Sequence, residues 1–143
     1  MSSKPEHLGW LVKRIQHRHH RHLDKKLGEL GLSLVQWNAL REIDRNPGCS
    51  QLQLAELTFN SAQAFGTLVT RLLKAELVKS YPGSGRSTLH ELTAKGRALL
   101  EEGQKTMFDV TNASFGLLSD EEQEHLKALL EKVLAHQPPE SLP

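Results

Sequence analysis

Apolar positions along the chain follow the helical repeat for most of its length. Residues 8–30 set Leu8, Leu11, Val12 and Ile15, then His19, His22 and Leu23, then Leu30, on one stripe, which predicts a long first helix stopped by Gly31. Histidines partway along an apolar stripe point to an interface rather than a dry core. Ser33-Leu34-Val35-Gln36 is a capping box with Leu32 and Trp37 in staple positions, so a second helix opens at Ser33 and stops at Asn46-Pro47-Gly48. Ser50 with Gln53 repeats the device for a short third helix, apolar at Leu52, Leu54, Ala55 and Leu57, ending near Thr58 or Phe59. Over residues 61–75, Phe65, Leu68, Val69, Leu72 and Leu73 take the i, i+3, i+4, i+7 spacing of an amphipathic fourth helix, capped by Asn60 or Ser61.

The period then changes. Leu77-Val78-Lys79-Ser80-Tyr81 and residues 87–92 read as strands, and Pro82-Gly83-Ser84-Gly85 between them is turn chemistry, so they form a hairpin. Thr93 caps a fifth helix over residues 94–115. Ser119-Asp120-Glu121-Glu122 is a further capping box, opening a sixth helix to about residue 135 with Leu126, Leu129, Leu130, Val133 and Leu134 apolar. Residues 137–143, with Pro138, Pro139 and Pro143, read as a frayed tail. No internal repeat is visible.

Composition sets limits rather than a direction. The 143 residues suffice for one domain, 1–143, with a real core. No run of apolar residues is long enough for a membrane-spanning helix, and the opening MSSKPEHLGW lacks the basic-then-apolar layout of a secretory leader. A lone cysteine, Cys49, excludes an intramolecular disulfide and suits a cytoplasmic protein. Beside Leu54 it reads as a helix staple, or else as a peroxide-sensing thiol. The formal net charge of +1 says nothing for nucleic acid, but its distribution is uneven. Residues 1–26 hold seven Lys/Arg and five His against two acids, while residues 98–143 hold nine acids against three Lys. That asymmetry fits one surface meeting a polyanion, and equally a solvated face.

Chemistry concentrates on the fourth helix. Away from its apolar stripe it carries Gln63, Gly66, Thr67, Thr70, Arg71 and Lys74, a polar, slim face without a carboxylate. A helix lying in a phosphate-lined groove needs such a face, because bulk obstructs and carboxylates repel. Gln pairs bidentately with adenine and a Thr methyl meets the thymine methyl. A mid-helix glycine costs roughly 1 kcal/mol against alanine, which close approach of a partner at Gly66 would account for. The alternative is an ordinary solvated helix face.

Three helices and a hairpin, with one helix before and two after, describe a mainly α fold with a small β-hairpin wing. A winged helix-turn-helix lobe, residues 33–92, lies between dimerisation helices, residues 8–30 and 94–136. At this point the chain resembles the MarR (multiple-antibiotic-resistance regulator) family. The resemblance is carried in order by Leu30-Gly31-Leu32-Ser33 with Trp37 and Leu40, Leu54-Ala55, Leu68-Val69-Thr70-Arg71-Leu72, Leu77-Val78, Arg86-Ser87, Leu92-Thr93 and Lys95-Gly96-Arg97. It implies a homodimer on a pseudo-palindromic operator in double-stranded DNA, with fourth helices in successive major grooves and wings at the flanking minor grooves. DNA contact is then expected over Ser61, Ala62, Gln63, Gly66, Thr67, Thr70, Arg71 and Lys74, and at Lys79 and Arg86 on the hairpin. The chain departs from the family pattern at Ser84, where an Asp usually orients the wing arginine, and at Thr67, where a basic residue is common.

The resemblance also implies a small anionic aromatic effector that releases a repressor from its operator. Trp10, Arg14, His17 and Arg21 share a face of the first helix at i, i+4, i+7, i+11, an indole and guanidinium groups suited to an aromatic carboxylate, and Trp37 is a candidate pocket wall. The competing reading pairs those arginines with acids of another helix. The His17–His22 run invites a metal or pH-sensing alternative, with His17, His20 and Asp24 on one face, although zinc needs three or four converging ligands. A winged-helix module that binds protein is a third class. No phosphate loop, H-E-x-x-H or nucleophile elbow is present, so neither an enzyme nor a cofactor is expected.

Overall fold

Proline at its first turn starts α1 earlier than residue 8: in the computed structural model, which describes residues 4–136, α1 runs Pro5–Gly28. There follow α2 (Leu34–Arg45), α3 (Gln51–Leu57), α4 (Ala62–Lys74), β1 (Val78–Pro82), β2 (Thr88–Leu92), α5 (Ala94–Phe115) and α6 (Asp120–Ala135). The tail expected at residues 137–143 lies outside the described residues. By backbone contacts the chain divides into two units, Met1–Phe108 and Asp109–Pro143.

Helix starts follow the caps. Ser33, Ser50 and Ser119 each accept from the N–H three residues on, while Gln36, Gln53 and Glu122 accept in return from the cap's own N–H. Ser61, not Asn60, caps α4, its hydroxyl accepting from Ala64 N–H at 3.1 Å. Thr93 opens α5 by accepting from Gly96 N–H (3.0 Å), while its own hydroxyl donates to the Glu76 carbonyl (2.7 Å) and so ties the helix start to the end of α4.

Three helix ends, those of α1, α3 and α4, obey one rule with unequal residues. After α1, Leu32 N–H reaches the Leu27 carbonyl and Gly31 N–H that of Gly28, with Gly31 at φ +79°. The same pair of bonds closes α3 through Phe59 (φ +59°) and α4 through Glu76 (φ +60°), two L residues in the left-handed region.

The antiparallel hairpin sits one residue later than expected, pairing Val78 with Leu92, Lys79 with Glu91, Ser80 with His90, Tyr81 with Leu89 and Pro82 with Thr88. Each of the first three pairs is complementary in chemistry, apolar, ionic and hydrogen-bonded in turn. An isolated bridge from Ser50 to Leu89 adds the start of α3 to the edge of β2.

In the first unit the core gathers Leu23 and Leu27 of α1, Trp37, Leu40 and Ile43 of α2, Leu54 and Ala55 of α3, and Phe65, Leu68, Val69 and Leu72 of α4. Leu52, Leu57 and Leu73, expected on apolar stripes, are exposed at the margins. Asp24 joins α1 to α2 by accepting from Leu34 N–H at 2.7 Å. The Trp37 indole N–H donates to the Leu100 carbonyl of α5 at 3.2 Å, and Gly103 lies against the same ring. In the second unit, α6 leaves Leu129, Leu130, Val133 and Leu134 exposed, and Phe115, Leu126 and Leu130 line a shallow apolar groove. No helix among the described residues is long and apolar enough to cross a membrane.

A Cβ at Gly103 would run into Nε1 and Cδ1 of the buried Trp37 ring. Gly103→Ala should therefore lower the unfolding free energy by roughly 1–3 kcal/mol in urea titrations. Gly9→Ala, on the open side of α1 with nothing within 4 Å, should instead raise it by up to about 1 kcal/mol.

Candidate nucleic-acid interface

One face of α4 is fixed and the other is bare. Phe65 and Leu72 have no exposed surface, and Leu68 and Val69 are buried beside them. Opposite them Ser61, Ala62, Gln63, Thr67, Thr70, Arg71 and Lys74 are all exposed. The Thr67 and Thr70 hydroxyls donate to the Gln63 and Gly66 carbonyls (3.2 and 3.0 Å), which leaves their methyl groups, and their oxygens as acceptors only, to meet a partner. The helix holds no acid, and its basic residues, Arg71 and Lys74, stand in the last turn. Ser61, Gln63, Thr67 and Arg71 line a groove whose other wall is the start of α2, at Ser33, Val35 and Gln36. That wall and Asn60 were not among the sequence candidates; nothing local in the sequence marks the start of α2 as a neighbour of α4.

Gly66 stands at the edge of the outer face. It lies about 100° round the helix from Phe65, half-buried, and a Cβ there would stand 3.3 Å from Nε2 of Gln51 in α3. The structure thus places α3 close to α4 at Gly66.

On the hairpin, Arg86 is exposed in a loop closed by Gly83 N–H to the Ser87 carbonyl (2.9 Å) and Ser87 N–H to the Ser84 carbonyl (3.2 Å). Among the described residues Arg86 makes no ion pair, so nothing stands in for the missing Asp at Ser84. Lys79 does have a partner: Nζ lies 2.9 Å from Glu91 Oε1 across the strands, in an exposed ion pair. On the other face of the hairpin, His90 is the one buried polar or charged residue among those described. Its Nε2 lies 3.1 Å from Gln51 Oε1 and its Nδ1 2.8 Å from Ser80 Oγ. Since the amide oxygen only accepts, Nε2 carries the proton and Nδ1 accepts from the hydroxyl. Burial holds the ring below the ordinary histidine pKa.

Along α1, Trp10, Arg14, His17 and Arg21 line one open trough with Lys13, Arg18, His22 and Lys25, every wall residue coming from the same helix. Neither Arg14 nor Arg21 makes an ion pair among the described residues. Trp37 is not brought to this face; it is buried in the core described above. The histidine run does not converge: among the described residues no three His, Cys, Asp or Glu side chains are placed to hold a metal. Asp24 is committed to the α2 N–H and to His20, whose Nε2 lies 3.3 Å from Oδ2. His19 is held below the usual histidine range by partial burial, then by His22 and Arg18.

Against known proteins, residues 30–87 match the model of the MarR family. The HTH-type transcriptional repressor Rv2887 of Mycobacterium tuberculosis is 30% identical over 128 residues, 88% of this chain and 92% of that protein. The crystal structure of the M. tuberculosis MarR family protein Rv2887 with salicylic acid is similar with a TM-score of 0.74 at 30% identity, over 92% of this chain and 98% of that one. The same protein's complex with DNA has a TM-score of 0.74 at 27% identity, with the same coverage.

The depressed pKa of His90 fixes the sign of a pH effect. Above about pH 6.5 the ring is neutral folded or unfolded, and its contribution to stability is complete. Below that the unfolded chain takes up a proton that the folded ring resists, so the contribution is lost as pH falls toward the folded pKa. The stability difference between wild type and His90→Val should therefore shift against wild type between pH 7.5 and 5 in urea unfolding. His19 acts with the same sign in both proteins and cancels; a constant difference would refute the assignment.

Proposed function

This chain belongs to the MarR family of DNA-binding transcriptional regulators, and we propose that it is a cytoplasmic homodimeric repressor whose α4 helices read a pseudo-palindromic operator. The observation that carries this reading is the acid-free outer face of α4, held rigid from behind and facing an open groove. Gln63 and Thr67 are the candidates for base readout, Arg71 and Lys74 for phosphates, and Arg86 for the flanking minor groove. Ser61 and Ala62 bring the positive end of the α4 dipole to the same surface. Thr70 lies at the side of this face.

Pairing of two copies is supported by apolar surface that a lone chain leaves uncovered. Leu8, Leu11, Val12 and Ile15 on α1 are exposed, as are Leu129, Leu130, Val133 and Leu134 on α6. Two copies related by a two-fold axis would set their α4 helices one turn of DNA apart, about 34 Å.

For the effector, the trough on α1 supplies the indole of Trp10 at one end, with the cations Arg14 and Arg21 about one and three turns further along the same face. Stacking on the ring and a charge-assisted bond to a carboxylate suit an aromatic acid of the salicylate type, the compound bound by the M. tuberculosis relative. Such a ligand releases DNA by favouring a dimer whose α4 spacing no longer matches the groove repeat. A metal-sensing reading of the histidine run is weakened by the engagement of Asp24.

Purified protein should select a palindromic duplex from a random pool and bind it with a steep salt dependence. Arg71→Ala should weaken all sequences alike and reduce the salt slope by about 1 per copy. Gln63→Ala should cost roughly 1–3 kcal/mol and relax the preference at one base pair. A binding constant unchanged between 50 and 200 mM salt would favour a protein partner instead.

Salicylate should displace that duplex at millimolar concentration or below. Arg14→Ala should raise the concentration required by about ten-fold, as loss of one charge-assisted hydrogen bond implies, while leaving affinity for DNA without ligand unchanged. Equal release of wild type and variant would remove the α1 trough from the account.

A further inference from the structure

The recognition helix and the wing approach DNA from separate elements, yet the structure connects them through side chains that the DNA-binding reading leaves unused. Gln51, in the first turn of α3, stands between them. Its Nε2 would stand 3.3 Å from a Cβ built at Gly66 of α4, a tight approach, and its Oε1 accepts from His90 of β2. His90 in turn accepts from Ser80 of β1, its register partner, so that both strands are held at one level. Next to this point the Ser50–Leu89 bridge fastens the backbone of the same strand to the same helix start.

We infer that Gln51 and His90 form a relay that fixes the wing's angle to the recognition helix, making His90 a positioning residue for the contact of Arg86 with DNA. The relay has no other evident use. Neither Gln51 nor His90 is on the groove face of α4, and a strand-pairing site of this kind suits a β-branched apolar residue as well as an imidazole. What an apolar residue lacks is direction. Two hydrogen bonds at opposite ends of a planar ring fix its orientation, whereas apolar packing allows a range of tilts. The lever is long enough to matter. From His90 to Arg86 is about 13 Å at roughly 3.3 Å per residue, so a tilt of about 10° at the root moves the tip by about 2 Å. That takes a guanidinium out of hydrogen-bonding range of a phosphate or base edge.

The inference rests on the DNA-binding function proposed above, and its test keeps the two apart. The duplex selected by wild-type protein is titrated by fluorescence anisotropy from 50 to 200 mM salt with wild type, Arg86→Ala, His90→Val, Gln51→Leu and the two double variants carrying Arg86→Ala. In the wild-type background Arg86→Ala should weaken binding and reduce the salt slope by about 1 per wing. His90→Val and Gln51→Leu should each weaken binding about 3- to 30-fold, lose hydroxyl-radical protection at the flanks and keep it at the centre. Adding Arg86→Ala to either should then change affinity and slope by less than a third of its effect in wild type. Full additivity in folded single variants overturns the relay while leaving the DNA-binding reading intact, and so does a wild-type complex indifferent to Arg86→Ala. Failure of wild type to select any duplex sinks the DNA-binding reading itself. Circular dichroism checks folding: if His90→Val does not fold, Gln51→Leu carries the test, and if neither folds the pair serves stability alone and the inference is overturned.

Discussion

Phe65 and Leu72, two turns apart on α4, have no exposed surface. Burying each is worth about 1.5–3 kcal/mol, and with Leu68 and Val69 this fixes the helix about its own axis. Rotation by one residue would lift part of that set into water. The outward face is therefore decided by what lies beneath it. The groove lined by Ser61, Gln63, Thr67 and Arg71 is a consequence of core packing, and a substitution that loosened Phe65 would blur the reading surface without touching it.

The same economy governs the ends of the helices. Three closures, those of α1, α3 and α4, use the left-handed conformation, but only Gly31 takes it without strain; Phe59 and Glu76 each cost roughly 1–2 kcal/mol. The closures at Phe59 and Glu76 bracket α4, setting the angle at which it leaves α3 and the point at which the chain turns into β1. Strain at both ends of one helix persists because the core between them over-determines it. Phe59 offsets none of that cost by burial, standing 98% exposed, and nothing in the structure accounts for an aromatic there.

What the sequence made legible was whatever a few neighbouring residues decide. Ser33 with Gln36, Ser50 with Gln53, and Ser119 with Glu122 announced three helix starts because both partners of each cap lie within one turn. The change of period from α4 to the hairpin was equally local, and the ordered motifs along the chain pointed to the family. Interactions across long separations left no mark. Trp37 finds the Leu100 carbonyl 63 residues away, which takes it out of any pocket on α1, and Gln51 finds His90 39 residues away. For that reason nothing in the sequence marks the close approach of Gln51 to Gly66. Phe59 and Glu76 escaped notice because their left-handed backbones carry neither Gly nor Asn to signal them.

Charge then decides how such a surface must work. Of the four cations proposed for DNA on each copy, Lys79 is already paired with Glu91, leaving Arg71, Lys74 and Arg86. A two-fold dimer brings about six phosphate or groove contacts, for a salt slope near 5 and a loss of about a thousand-fold between 50 and 200 mM salt. That is the low end for operator-binding proteins. In the function proposed above, with so little general attraction to phosphate, specificity would fall on directed groups, the Gln63 amide, the Thr67 methyl and the setting of Arg86, and these gain only if the elements bearing them arrive at the right angle. A weakly basic reader has more need of rigid positioning than a strongly basic one, and the proposed relay through the buried imidazole would answer that need.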